Sequence, residues 1–309
     1  MNLPIITADI DAHLDWRGLL AAFERAHTRP PAELDDTFLY RGDDTLLSRA
    51  AWIDGMGALV KTATIFPRNA QKGLAAVNGG VALYSDSDGT LQALLDFHLV
   101  TKWKTAGDSL FAASMLARPD SRKITIAGAG TVARSMVEAY RALFPKAQFT
   151  VWARNFESAA QFARDVAGVQ PEADLQRAVE GADIICTATM SREPLIQGAW
   201  LRPGQHLDLI GAFRPDMREV DDAALARAAL FVDNRRTVLD HIGEMKDPLA
   251  RGVITLDDIR ADFYDIASGS FTRPDAEAIT ICKNGGGAHL DLMTARYIFG
   301  VWQGVQGAA

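Results

Sequence analysis

Lys61 is a costly residue where it stands. It lies inside Ala58-Leu59-Val60-Lys61-Thr62-Ala63-Thr64-Ile65-Phe66, a strand-like run whose other members are apolar or small. A lysine there loses its hydration unless an anion pairs with it. Arg41 ends a neighbouring strand-like run, and Lys102 and Lys104 lie near the start of a long helical segment. Cations without matching local acids suit an anionic substrate such as a carboxylate. Lys102 reads equally well as a surface lysine with a snorkelling stem.

A second chemical signal lies at Lys123–Ala133, KITIAGAGTVA. Ile124 to Ala127 is a short apolar run suited to a buried parallel strand. Gly128-Ala129-Gly130-Thr131-Val132-Ala133 follows at once, and a helical pattern (Val132, Met136, Ala139, Tyr140, Leu143) starts within it. This is a G-x-G-x-x-G/A turn with a strand before it and a helix after, the arrangement that cradles a dinucleotide pyrophosphate. Gly130 keeps a side chain away from the phosphates, and Ala133 lets the helix pack on its strand. The free N–H groups and positive dipole end of the helix favour the anion.

The next strand, Gln148–Trp152, ends where an NAD enzyme usually carries Asp or Glu for the ribose 2′-hydroxyl. Ala153 stands there, followed by Arg154 and Asn155. With no carboxylate to repel a 2′-phosphate and a guanidinium to pair with it, NADP(H) is expected over NAD(H). Thr187-Ala188-Thr189 ends a later strand at the edge where ribose and nicotinamide would lie, and is expected to touch the cofactor.

The elements that must position these residues fall in two blocks. Asp15–Arg25 reads as a helix, and Phe38–Leu99 as short strands and turns, with Asp88-Gly89 a hairpin signal. Phe97–Ala117 reads as one long helix, broken by Arg118-Pro119-Asp120-Ser121. From about Ser121 to Ile281 the pattern is doubly wound α/β: strands at 123–127, 148–152, 183–187, 205–209, 230–232 and 278–281, with helical segments between most of them. Asn284-Gly285-Gly286-Gly287 punctuates the end, and Leu290–Val301 reads as a last amphipathic helix.

The 309 residues are 48% hydrophobic with a net charge of −7, enough for substantial cores. No basic, aromatic-interleaved patch points to nucleic acid. No apolar run reaches membrane-spanning length, and MNLPIITADIDAH lacks the features of a signal peptide. Cys186 and Cys282 lie in apolar runs without metal spacing and read as buried free thiols of a cytosolic protein. Gly107-Asp108-Ser109-Leu110 looks hydrolase-like but falls mid-helix, and His206 reads as a core histidine. Asp291 on the last helix faces the site or merely caps or solvates the helix.

Six stretches in order (VKTATIFPRNAQKG, DGTLQALLDFHLVTKWKTAGDSLFAASMLA, KITIAGAGTVA, ADIICTATMSREPLI, GQHLDLIGAFRPDMREVD and ICKNGGGAHLDL) resemble the ornithine cyclodeaminase/μ-crystallin family. The resemblance implies an α/β protein with a dinucleotide-binding Rossmann domain at 119–286. It also implies a smaller α+β substrate-binding and dimerisation domain at 1–118 with 287–309, in a homodimer. It places Arg41 and Lys61 on the substrate carboxylate. Lys104 replaces a family arginine, keeping the charge and losing the bidentate fork. Gly211, Ala212 and Phe213, and the turn at Asn284-Gly285 after Lys283, fall on the cofactor side.

Cyclodeaminases of this family carry an Asp where Phe213 stands. An aromatic ring takes no proton, and Asp208 and Asp216 occupy other positions. The GA.RPD.RE form resembles instead the reductase and μ-crystallin-like branch of the family, and that resemblance implies NAD(P)H-dependent reduction of a cyclic ketimine carboxylate. Δ1-pyrroline-2-carboxylate to L-proline is the first choice and Δ1-piperideine-2-carboxylate to L-pipecolate the second. Ornithine cyclodeamination, an alanine dehydrogenase-like reaction and a non-catalytic NADPH-dependent ligand-binding role remain as alternatives.

Overall fold

The structure, a computed structural model, describes residues 3–308. The chain folds as two compact units, residues 1–104 with 287–309, and residues 105–286.

The first unit is built on a six-stranded sheet. Its strands are β1 (Ile5–Ile6), β2 (Glu33–Arg41), β3 (Asp44–Ile53), β4 (Gly57–Ile65), β5 (Val77–Tyr84) and β6 (Leu91–Asp96), preceded in part by helix α1 (Trp16–His27). Strands β2 to β6 form an antiparallel meander, and β1 adds to β6 in parallel. Asp88-Gly89 lies in the β5–β6 turn, with Gly89 at φ +69°, where a residue without a Cβ costs least. The C-terminal helix Ala288–Ala308 packs on β3 to β5 and on α1. Asp15 caps α1 by accepting from the Gly18 N–H at 2.7 Å, and its backbone N–H donates to the Tyr297 hydroxyl.

Alternation along β4 decides where its lysine goes. Leu59, Lys61 and Ala63 fall on the buried face, while Val60 and Thr62 are half-buried. The period of two that hides Leu59 and Ala63 hides Lys61 with them.

Helix α2 (Phe97–Leu116) follows β6 and runs on into the second unit. That unit holds β7 (Lys123–Ala127), α3 (Thr131–Leu143), β8 (Gln148–Trp152), α4 (Phe156–Asp165), β9 (Val169–Glu172), α5 (Leu175–Gly181), β10 (Ile184–Thr187) and β11 (His206–Leu209). Then come α6 (Asp222–Arg227), β12 (Ala229–Val232), α7 (Arg235–Val238), α8 (Gly243–Ala250), β13 (Ile259–Ala261) and β14 (Thr280–Lys283). All eight strands are parallel, in the order β13-β12-β14-β11-β10-β7-β8-β9. Ile124, Ile126, Ile185, Leu207, Leu209 and Ile281 are fully buried, as a sheet covered on both faces requires. The chain runs outward from β7 through β8 and β9, then returns to the other side of β7 with β10. That reversal opens a crevice at the carboxyl ends of β7 and β10, the usual ligand position in such sheets.

The short strands β9 and β13 are additions to the expected list, and the C-terminal helix is longer than expected. Cys186 and Cys282 are buried free thiols, and burial pushes both well up in pKa. Among the described residues no helix is long and apolar enough to cross a membrane.

Candidate active site

In the first unit, the Lys61 Nζ donates to Asp291 Oδ1 at 2.7 Å and to Thr101 Oγ1 at 2.8 Å, and lies 4.7 Å from the centre of the Phe97 ring. Asp291 comes from the C-terminal helix and is fully buried. Arg49 stands directly opposite Lys61 across the β3–β4 ladder. Like charges facing each other on neighbouring strands repel, and carboxylates relieve that here. Arg49 reaches Asp291 Oδ2 at 3.7 Å and donates to both oxygens of Asp36 on β2, at 3.2 and 2.7 Å. Lys104, 7% exposed, adds a third cation acting on the same carboxylate.

Burial pushes the Lys61 pKa down from 10.5 to about 8; Asp291 pulls it back up, while Lys104 and Arg49 push it lower. For Asp291, burial would raise the pKa, yet Lys61, Lys104 and Arg49 together hold it below its ordinary value. A lysine poised near pH 8 can both attract a carboxylate and give up a proton close to neutrality. Nearby His289 is fully buried, and burial drives its pKa far down, so it is neutral.

Arg41 is a correction. The family resemblance places it on the substrate carboxylate with Lys61, but its side chain is 79% exposed, outside the buried cluster, and pairs with Asp44 at 3.0 Å. The reason is register: Arg41 faces Asp44 as the last pair of the β2–β3 hairpin, roughly 16 Å along the strand from the Arg49 pair at ~3.3 Å per residue. The cation beside Lys61 is Arg49, which no sequence motif distinguished. Lys102 also lies apart, donating to Asp11 at 2.9 Å.

In the second unit, the turn after β7 has the shape its glycines require. Gly128 takes φ +128°, and a Cβ there would lie 2.6 Å from the Ala188 carbonyl oxygen. A Cβ on Gly130 would meet no protein atom within 4 Å, so its absence leaves open space above the start of α3. Ala129 is half-buried, Thr131 exposed, Val132 half-buried and Ala133 buried. An open cradle at a helix N-terminus fits a dinucleotide pyrophosphate. Arg154 follows β8 and is exposed, while Asn155 caps α4 by accepting from the Glu157 N–H at 3.0 Å.

Thr187, Thr189, Gly211 and Ala212 converge on one buried carboxylate, Glu219. Ala188 abuts Gly128. Phe213 is 57% exposed on the loop beyond Ala212, and Met190 is 75% exposed after Thr189. Asn284 is buried, its amide donating to Asp108 at 2.9 Å. A Cβ on Gly285 would sit 2.7 Å from Val238. This turn therefore packs the end of β14. Lys283, fully buried, donates to the carbonyl oxygens of Leu209 and Asn284 at 2.5 and 2.9 Å.

The profile of the ornithine cyclodeaminase/mu-crystallin family matches residues 52–306. The chain belongs to this family. Among its relatives, a Δ1-pyrroline-2-carboxylate reductase from Paracoccus denitrificans is 49% identical over 302 residues, covering 96% of each chain. The fold matches a Thermococcus litoralis Δ1-pyrroline-2-carboxylate reductase in complex with NADH and L-proline, with TM-score 0.90, 26% identity and 98% of each chain covered. It also matches an archaeal alanine dehydrogenase dimer with bound NAD, at TM-score 0.88 and 25% identity, covering 99% of this chain and 98% of that one.

The two aspartates near Phe213 are engaged elsewhere. Asp208 is buried, accepts from the Tyr140 hydroxyl and lies 3.1 Å from His206. Asp216 is part-exposed between Arg192 and Arg214 at 3.3 and 3.1 Å. His206 is a core histidine, 2.9 Å from the Thr280 hydroxyl. Glu219 accepts from four residues and Asp291 pairs with Lys61 and Arg49. Within the sequence, Glu219 could have been noticed only as a carboxylate in an otherwise loop-like stretch.

Proposed function

We propose that this protein reduces the C=N bond of a cyclic ketimine carboxylate to the corresponding L-amino acid. Δ1-pyrroline-2-carboxylate to L-proline is the first substrate and Δ1-piperideine-2-carboxylate the second. The chain is an oxidoreductase acting on C=N and CH–NH bonds with a nicotinamide cofactor. The observation that carries the reading is Lys61: a buried lysine with pKa near 8, held by Asp291 with Arg49 and Lys104 close by. Arg49, Lys61, Lys104, Asp36 and Asp291 together sum to one net positive charge, which favours an incoming carboxylate.

A bound reduced nicotinamide supplies the hydride. Lys61 and its neighbouring cations hold the substrate carboxylate, and the Lys61 ammonium gives the imine nitrogen its proton. The hydride adds to C2, the C=N π bond becomes the nitrogen lone pair, and that nitrogen keeps the proton. Fixing the approach in this way supplies on the order of 7 kcal/mol in favourable cases. Phe213, where a cyclodeaminase would carry its acid, offers apolar surface and no proton.

Because Lys61 must be protonated, kcat/KM for imine reduction is expected to fall as pH rises through about 8. Proline oxidation, which needs the free amine, should rise over the same range. The deciding assay is NADPH and NADH oxidation against pyrroline, piperideine and thiazoline carboxylates, with pyruvate plus ammonia or methylamine, and ornithine as controls. Turnover confined to pyruvate with ammonia, or ammonia release from ornithine, would overturn the substrate assignment.

The cofactor preference proposed is NADP(H), supported by Ala153 and the exposed Arg154. Arg154→Ala is expected to lower kcat/KM with NADPH at least tenfold, ~1.4 kcal/mol, and to leave NADH within threefold. Equal losses with both would remove Arg154 from the discrimination. A homodimer is supported by Phe38, Leu39 and Tyr40, exposed together on the edge strand β2. Sedimentation at assay concentrations tests it.

A further inference from the structure

We propose that Glu219 is the positioning residue of the cofactor-facing edge of the second unit, acting through Thr189, Gly211 and Ala212. The inference rests on the nicotinamide reading above.

Glu219 is fully buried, and its carboxylate accepts five hydrogen bonds. Oε1 accepts from the Thr189 N–H at 2.9 Å and from its hydroxyl at 2.6 Å. Oε2 accepts from the Thr187 hydroxyl at 2.7 Å and from the backbone N–H groups of Gly211 at 2.9 Å and Ala212 at 3.1 Å. One side chain thus ties the loop after β10 to the loop after β11, at the carboxyl edge where ligands bind in doubly wound sheets. The approach is too close for any side chain at position 211: a Cβ there would lie 2.2 Å from the Thr189 carbonyl oxygen and 2.3 Å from Glu219 Oε1. The loop after β7 joins the same row, since Gly128 lies against Ala188.

Glu219 is itself held from behind. Its backbone N–H donates to Glu244 Oε2 at 2.7 Å, and its carbonyl accepts from the N–H groups of Leu195 and Ile196, each at 3.0 Å. An ionised carboxylate is the one side chain that can receive donors on both oxygens at once. In Glu219→Gln, whichever oxygen becomes NH2 faces at least one backbone N–H, and the clash must be relieved by moving a loop. The hydrogen bonds of the Glu219 carboxylate go to Thr187, Thr189, Gly211 and Ala212, so its effect reaches the cofactor through the loops it fixes.

The test titrates NADH and NADPH into wild type, Glu219→Gln and Thr189→Val, following nucleotide fluorescence well below each protein's unfolding midpoint. Steady-state kinetics accompany it. Glu219→Gln is expected to raise the Kd and KM of the preferred nucleotide together, at least tenfold, with imine KM and kcat at saturating nucleotide within threefold. Thr189→Val, which deletes one of the five donors and leaves the carboxylate, is expected to raise Kd at least threefold. A folded Glu219→Gln whose nucleotide Kd stays within twofold of wild type overturns the proposal. Should Glu219→Gln not fold, an unchanged Kd in Thr189→Val overturns it instead. Wild type that binds neither nucleotide would refute the nicotinamide reading itself, a separate result visible before any variant is made.

Discussion

Lys61→Met is expected to lower kcat/KM for the cyclic imine carboxylate by about 10³-fold, ~4 kcal/mol. Methionine fills nearly the same volume, so Leu59 and Ala63 on the same buried face of β4 keep their packing. What is lost is the proton donor and the nearest cation for the substrate. Lys61→Arg separates the two roles. A guanidinium keeps the charge but does not release a proton in the accessible pH range, so KM should stay within about fivefold while kcat still falls by roughly 10². The fall in rate near pH 8 should vanish with either substitution. A Lys61→Met enzyme within threefold of wild type, a change under ~1 kcal/mol, would end the proposed mechanism.

Asp291→Ala should be the most destabilising single change in the site. It leaves Lys61 buried with its largest opposing influence gone, beside Lys104 and Arg49. Removing one partner of a buried pair typically costs about 3–5 kcal/mol, which places the thermal midpoint lower by roughly 10 °C. The pH dependence follows from the direction of the shift. The folded-state carboxyl is held below its ordinary 3.8 by the three cations, against burial. Its stabilisation is therefore complete above that value and lost as pH falls through the folded one. Calorimetry across this acid range should show the contribution in wild type and not in Asp291→Ala. A midpoint within 2 °C of wild type would mean that the ion pair does not hold the C-terminal helix to the sheet.

Local pattern carried the second unit almost to completion. The Gly128-Ala129-Gly130 turn, the strands on either side and the buried β-branched runs are all specified within a few residues of one another. Steric limits at a tight turn and burial on both faces leave little choice there. The same holds for Lys61, whose burial follows from the alternation of β4. The peripheral strand Val169–Glu172 escaped because its residues, VQPE, include one buried apolar side chain and a proline, whereas equally short strands such as Ile184–Thr187 are apolar runs.

The sequence by itself determined which residue types were out of place: a lysine amid apolar neighbours, an alanine and arginine where NAD enzymes usually carry an acid and, through the family resemblance, a phenylalanine where cyclodeaminases carry an aspartate. Only the tertiary structure decided what stands next to them. It exchanged Arg41 for Arg49 as the neighbour of Lys61, brought Asp291 from 230 positions away, and gathered two loops onto Glu219. Strand register and the docking of the C-terminal helix make these contacts. Both are set by long-range packing, which leaves no periodic trace around the residues it joins.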